Sequence, residues 1–184
     1  HGFPRGHGGT CQEGFEGMLR ALDYPEAGGI TINHPWGLSD DEVLNMLDFD
    51  ESVLGIEIYS DKGQYSAISN RFEDGDYRAP PESEPGFSLN LWDRVLSTGR
   101  RCWGFCVPDH GVCKGGNWLG RNVLLVSEFT EYNCLKAYRE GRFYGCLKDS
   151  GLTISDYTVT GSSISVTTSA TARIKFITEA GLAR

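Results

Sequence analysis

The chain has 184 residues, of which 39% are hydrophobic and 23% charged, and its formal net charge is −8. That length buries a sizeable core, and the apolar runs are too short for a membrane span or a signal peptide. The negative charge argues against non-specific binding to nucleic acid or to an anionic membrane. The chain opens on His1-Gly2-Phe3-Pro4 without an initiating methionine, which reads as a processed protein, a fragment or part of a longer one.

Residues 1–9 are rich in glycine and carry His1 and His7, so they read as loop. Thr10-Cys11-Gln12-Glu13 has the spacing of a capping box, and Phe15, Met18, Leu19 and Leu22 follow at helical intervals. Gly28-Gly29 turns into a strand over Ile30–Asn33 that ends at His34-Pro35. Ser39-Asp40-Asp41-Glu42 starts a short helix, with acids where the dipole favours them. Leu54–Tyr59 is the next strand and carries Glu57 among apolar neighbours.

A long polar excursion runs from Ser60 to Gly86; loops of that length are usually functional or mobile. Ser88 opens a helix bearing Leu89, Trp92, Val95 and Leu96 on one face, with Gly99 placed to end it. The strand that begins at Cys102 stops at Pro108 and delivers Asp109 and His110 at its end. A Gly-rich loop from Gly111 to Gly120, a strand over Asn122–Val126 and a helix from Thr130 to Gly141 follow. This alternation predicts α/β layering. From Phe143 onward the pattern switches to period two, with strands over Leu152–Thr160, Ser163–Thr168 and Ala172–Thr178 and a turn at Thr160-Gly161-Ser162. The expected division is therefore an α/β body over 1–142 and a small antiparallel appendage over 143–184.

Chemistry-bearing residues gather at predicted strand ends, where α/β folds collect ligands and catalytic groups. His34 is placed as a metal ligand or as a structural histidine bonded to a loop carbonyl. Asp109 and His110 are adjacent, so both reach one ion only if the chain bends between Pro108 and Gly111; otherwise they are a turn aspartate beside a half-exposed histidine. Glu57 is suited to orienting a histidine from behind, or to facing a cation on a helix. His7 lies in a flexible surround that would let it approach a site. Arg121, and Arg101 beside Arg100, are candidates for bidentate contact with phosphate, or for surface ion pairs. The six cysteines form no Cys-x-x-Cys pair; they read as buried, reduced thiols of a cytoplasmic protein, with a soft-metal site at Cys106 and Cys113 left open.

Four pieces of the chain, in order, resemble the PHP (polymerase and histidinol phosphatase) superfamily, in particular its CehA/McbA-like metallohydrolases. They are Gly28-Gly29-Ile30-Thr31-Ile32-Asn33-His34-Pro35, Leu54-Gly55-Ile56-Glu57-Ile58-Tyr59, the helix and Gly-Arg turn from Trp92 to Arg101, and Ala137-Tyr138-Arg139-Glu140-Gly141-Arg142-Phe143-Tyr144. The resemblance implies an incomplete, distorted (β/α)7 barrel of TIM-like build with a C-terminal β appendage. It implies hydrolysis of a small phosphate ester with divalent Zn, Mn or Fe. On that reading His34, Asp109 and His110 hold metal and Asp109 and His110 serve catalysis, while His7 is a further candidate metal ligand by virtue of its flexible loop. The family's opening His-x-His strand and following glutamate have no counterpart in the chain, and its Asp-x-His motif stands here as Asp109-His110. A partner chain or a preceding segment would complete the barrel; the alternative is a non-catalytic binding or structural module with an incomplete metal site.

Overall fold

Local chemistry sets the ends of most elements in the computed structural model, which describes residues 11–35, 38–60, 88–107, 120–146 and 151–174, together with the backbone of 177–178 and 182–183. The first helix, α1 (Cys11–Arg20), leads into strand β1 (Ile30–Ile32). Helix α2 (Asp40–Leu47) begins on a complete capping box: the Ser39 hydroxyl accepts from the Glu42 amide, and the Glu42 carboxylate accepts from the Ser39 amide at 2.8 Å. After β2 (Val53–Ser60) come α3 (Leu89–Ser97), β3 (Trp103–Val107) and β4 (Arg121–Leu124). Helix α4 (Glu131–Glu140) is capped by the Thr130 hydroxyl and closed by Gly141 at φ 71°. Strand β5 (Phe143–Cys146) follows, then β6 (Ile154–Thr160), β7 (Ser163–Thr168), β8 (Ile177–Thr178) and β9 (Leu182–Ala183). The expected capping threonine, Thr10, lies outside the described residues.

Strands β1, β2 and β3 form a parallel sheet with β2 in the middle. Ile30, Ile32, Val53 and Ile56 of the sheet bury against Phe15 of α1, Val43 and Leu47 of α2, and Leu91 and Val95 of α3. Burying each such side chain contributes roughly 1.5–3 kcal/mol, so this layer dominates the stability of the first unit. By comparison, the Arg94–Asp40 and Arg100–Asp48 pairs, with closest contacts of 2.7 and 2.6 Å, are exposed and screened by solvent, and they add little. On β3, Phe105 lies beside Glu57 in the register and stacks on Phe143 of β5 at 5.0 Å between centroids, with Tyr138 of α4 at 5.6 Å.

The barrel expected from the resemblance is not formed. Strands β4 and β5 pair antiparallel with each other, and no ladder joins β3 to β4 among the described residues. A barrel requires each strand to continue the previous one with a common tilt and stagger. Here the Asn122 side chain accepts the Cys106 amide at 3.0 Å, which takes up a donor that a fourth parallel strand would have used. The result is a mixed α/β arrangement of small sheets.

The chain divides into two units, 1–147 and 148–184. Phe143–Cys146, read from sequence as the start of the appendage, is paired with β4 in the first unit. In the second unit β6 and β7 form an antiparallel hairpin across Gly161 (φ 60°) and Ser162. Its register sets Tyr157 opposite Val166 and Val159 opposite Ile164, with Thr158–Ser165 and Thr160–Ser163 on the other face. Of the strand expected over Ala172–Thr178, residues 172–174 form no strand, and Ile177–Thr178 pairs with β9.

Candidate functional site

The site begins where β1 gives out. Ile32 is buried, and the chain then carries Asn33 and His34 to the surface before returning to a buried Pro35. His34 has φ 52°, the left-handed region, and it is the only non-glycine residue with positive φ among the described residues. A left-handed L-residue costs about 1–2 kcal/mol, and a following proline favours extended backbone instead. Such strain persists only where the surroundings enforce it.

The enforcing group is Glu57. It sits in the central strand with no exposed surface, and its Oε2 accepts the His34 backbone N–H at 3.0 Å. The same oxygen stands 3.3 Å from His34 Nδ1, while the imidazole is 40% exposed. One carboxylate oxygen therefore fixes both the backbone turn and the ring of the histidine. A proton on Nδ1, facing that carboxylate, leaves the lone pair on Nε2. A histidine held this way is a prepared ligand for a divalent cation, because the carboxylate fixes the tautomer and the orientation of the ring. A net charge of −8 adds a field that favours a cation.

The other sequence-predicted residues fall in three groups. Asp109 and His110 follow Val107 by two and three residues and lie outside the described residues, as does His7. Arg121 is exposed at the start of β4, next to Gly120, which packs against the Tyr59 ring and the Val107 carbonyl. That puts it at the C-terminal end of β2 and β3, the end that His34 also occupies in the parallel sheet. Arg101 stands at the opposite end: it precedes β3, donates to the Glu51 carbonyl at 2.7 Å and lies 6.0 Å from the Trp103 ring centroid. Its pairing with His34 around one phosphate is thereby ruled out.

Among the described residues no group of three or more His, Cys, Asp or Glu side chains is arranged to hold a metal ion. His34 and Glu57 fit a single ligand and its orienting carboxylate; further ligands have to come from elsewhere in the chain. Cys102 and Cys106 are buried free thiols, and burial pushes the Cys102 thiol up to about 12, which suits packing and not ligation at neutral pH.

Sequence reasoning missed three residues: Asn122 and Ser60, at this end of the sheet, and Arg139, at the opposite end. Asn122 reads as an ordinary strand residue, yet its side chain bonds β3. Ser60 reads as the first residue of the polar excursion, yet it is the buried last residue of β2. Arg139, given no role in the sequence reading, donates to the Gly28 carbonyl at 2.9 Å, the Ser52 hydroxyl at 3.0 Å and the Glu51 carboxylate at 2.8 Å. No local signal marks contacts that span so much sequence. The chain matches no family profile, no curated protein and no solved structure.

Proposed function

We propose that the chain is a metal-dependent hydrolase acting on a small phosphate ester. The observation that carries this reading is the 3.3 Å approach of His34 Nδ1 to a fully buried carboxylate at the end of a parallel sheet. His34 would hold the ion through Nε2, Glu57 would keep the ring in place, and Asp109, His110 and His7 are the candidates for the remaining ligands. A bound Zn, Mn or Fe ion supplies polarisation of the phosphoryl oxygen and a water acidified toward neutral pH. Asp109 and His110 carry the proton transfers, and Arg121 meets the phosphate. The four pieces that resemble the PHP superfamily support the same reading through their order, with Asn33-His34-Pro35 in the first and Asp109-His110 following the third in sequence. No helix among the described residues is long and apolar enough to cross a membrane, and the free thiols of Cys102, Cys106, Cys134 and Cys146 support a reducing, cytoplasmic setting.

The test is elemental analysis of the purified chain together with hydrolysis of p-nitrophenyl phosphate in added Mn. Bound transition metal with metal-dependent turnover supports the proposal. Absence of both leaves the alternative of a non-catalytic binding or structural module.

A further inference from the structure

We propose that the outer edge of β7 is a self-association site, where a second copy of this chain adds its own β7 antiparallel about a two-fold axis. Nothing in this depends on hydrolysis. Among the described residues β7 (Ser163–Thr168) pairs only with β6, so that sheet is two strands wide and β7 is one of its edges. The pairing runs unbroken from Asp156–Thr167 to Thr160–Ser163, and its irregularity lies in β6, between Ile154 and Asp156. The alternation of β7 itself is therefore regular.

Backbone groups in an antiparallel pair alternate along each strand, one residue bonding to the neighbouring strand and the next facing away. Two bonds fix which is which in β7. The Thr167 carbonyl accepts the Ser155 hydroxyl of β6 at 3.2 Å, and just beyond the strand the Ser169 amide donates to the Thr153 carbonyl at 2.9 Å. The two-residue turn over Gly161 and Ser162, closed by Thr160 and Ser163, has the same parity. Ser163, Ser165 and Thr167 thus turn their backbone groups toward β6. Ile164 and Val166 turn theirs to the open side, spaced as an added antiparallel strand requires.

Natural sheets guard an open edge with a charge, a proline or a bulge. Strand β7 reads Ser-Ile-Ser-Val-Thr-Thr, with neither charge nor proline, and the chain carries no charged residue from Tyr157 to Ala172. The guards sit on the other edge strand, β6, which holds Asp156 and the irregular pairing. Association through β7 alone closes at a dimer. An uncharged strand offers a charged peptide or a nucleic acid nothing to recognise, whereas a second copy matches it by symmetry. With Ser165 on the axis, Ile164 of each copy faces Val166 of the other, and each such pair exchanges both backbone bonds. A two-stranded hairpin is marginal in water, and a wider sheet with an apolar face is needed for independent stability. Tyr157, Val159 and Ile164 are exposed on the apolar face of this hairpin, and pairing doubles the sheet and joins the two apolar faces into one.

The test is sedimentation velocity of the full-length chain over a concentration series, with reductant present to exclude disulfide-linked species. Wild type is expected to pass from monomer to a limiting dimer. Val166→Pro removes an outward-facing N–H, which an edge strand tolerates, and is expected to weaken dimerisation about tenfold or more. Ser165→Lys and Ser165→Glu each set like charges against one another across the axis, so each alone is expected to stay monomeric. Mixed together, the lysine and glutamate variants are expected to recover the dimer, a rescue that misfolding could not produce. That charge pair decides the matter even if the proline variant fails to fold. Wild type that stays monomeric at every concentration, or that aggregates without a limiting dimer, would overturn the site. So would a dimer that survives the proline and both charge variants, or charge variants that remain monomeric when mixed.

Discussion

His34 holds a left-handed φ of 52° one residue before Pro35, so backbone strain and side-chain function pull in opposite directions there. Glycine accepts that conformation freely but widens the unfolded ensemble, and the two effects nearly cancel. His34→Gly should therefore melt within about 1 kcal/mol of wild type while losing the hydrolysis proposed above, whereas His34→Val should lose about 1–3 kcal/mol; thermal denaturation with a parallel activity assay distinguishes them. A second residue-scale consequence concerns Cys102, whose thiol is raised from 9.0 to about 12 by burial. The folded value lies above the unfolded one, so its contribution to stability is complete below pH 9 and is lost as pH rises from 9 toward 12. Stability of wild type should fall across that window, and the slope should flatten in Cys102→Ala; urea titrations at stepped alkaline pH measure it. At the acid end the sign reverses: Arg94 and Arg100 hold the Asp40 and Asp48 carboxyls below their ordinary values, so their small contribution fades as pH falls.

At the scale of elements, what was legible in the sequence is what local chemistry decides. Ser39 with Glu42, Thr130 and Gly141 announced their caps, because each device closes within a few residues. Ser163–Thr168 is present as expected, because alternation and a Gly161 turn suffice to define a hairpin arm. The strand expected over Ala172–Thr178 does not form at residues 172–174, because alternation alone supplies no partner. Ser88 looked like any cap, although its hydroxyl makes no cap bond; a serine before a helix has the same sequence whether or not its hydroxyl turns toward the amides. Gly141 also shows tertiary context adding to local need. A Cβ there would meet Trp103 Cζ2 at 2.6 Å, whereas Gly99, at φ 81°, has open space around it. Gly99→Ala should thus cost about 1 kcal/mol and Gly141→Ala about 2 kcal/mol or more. Equal losses in chemical denaturation would mean that Trp103 does not press on that turn.

For the whole molecule, the α/β alternation was readable, but closure into a barrel was not. Whether a fourth strand continues the sheet depends on a contact between Asn122 and Cys106, sixteen residues apart, and neither residue advertises it. The same limit separates the site residues: nothing in the residues around Arg101 shows that it faces the far end of the sheet, and nothing around Arg139 shows that it ties α4 to the loops before β1 and β2. His34 and Glu57 were legible because each broke its own local pattern, a histidine between asparagine and proline and a carboxylate inside an apolar strand, and the fold brings them together.

The account turns on that pair preparing an imidazole for a divalent cation. Zinc affinity of the full-length chain, measured by competition with a chromogenic chelator for wild type, His34→Ala and Glu57→Gln, tests it most directly. Loss of binding in His34→Ala and a 10–100-fold weaker affinity in Glu57→Gln are expected. Wild-type affinity in both variants would contradict the account.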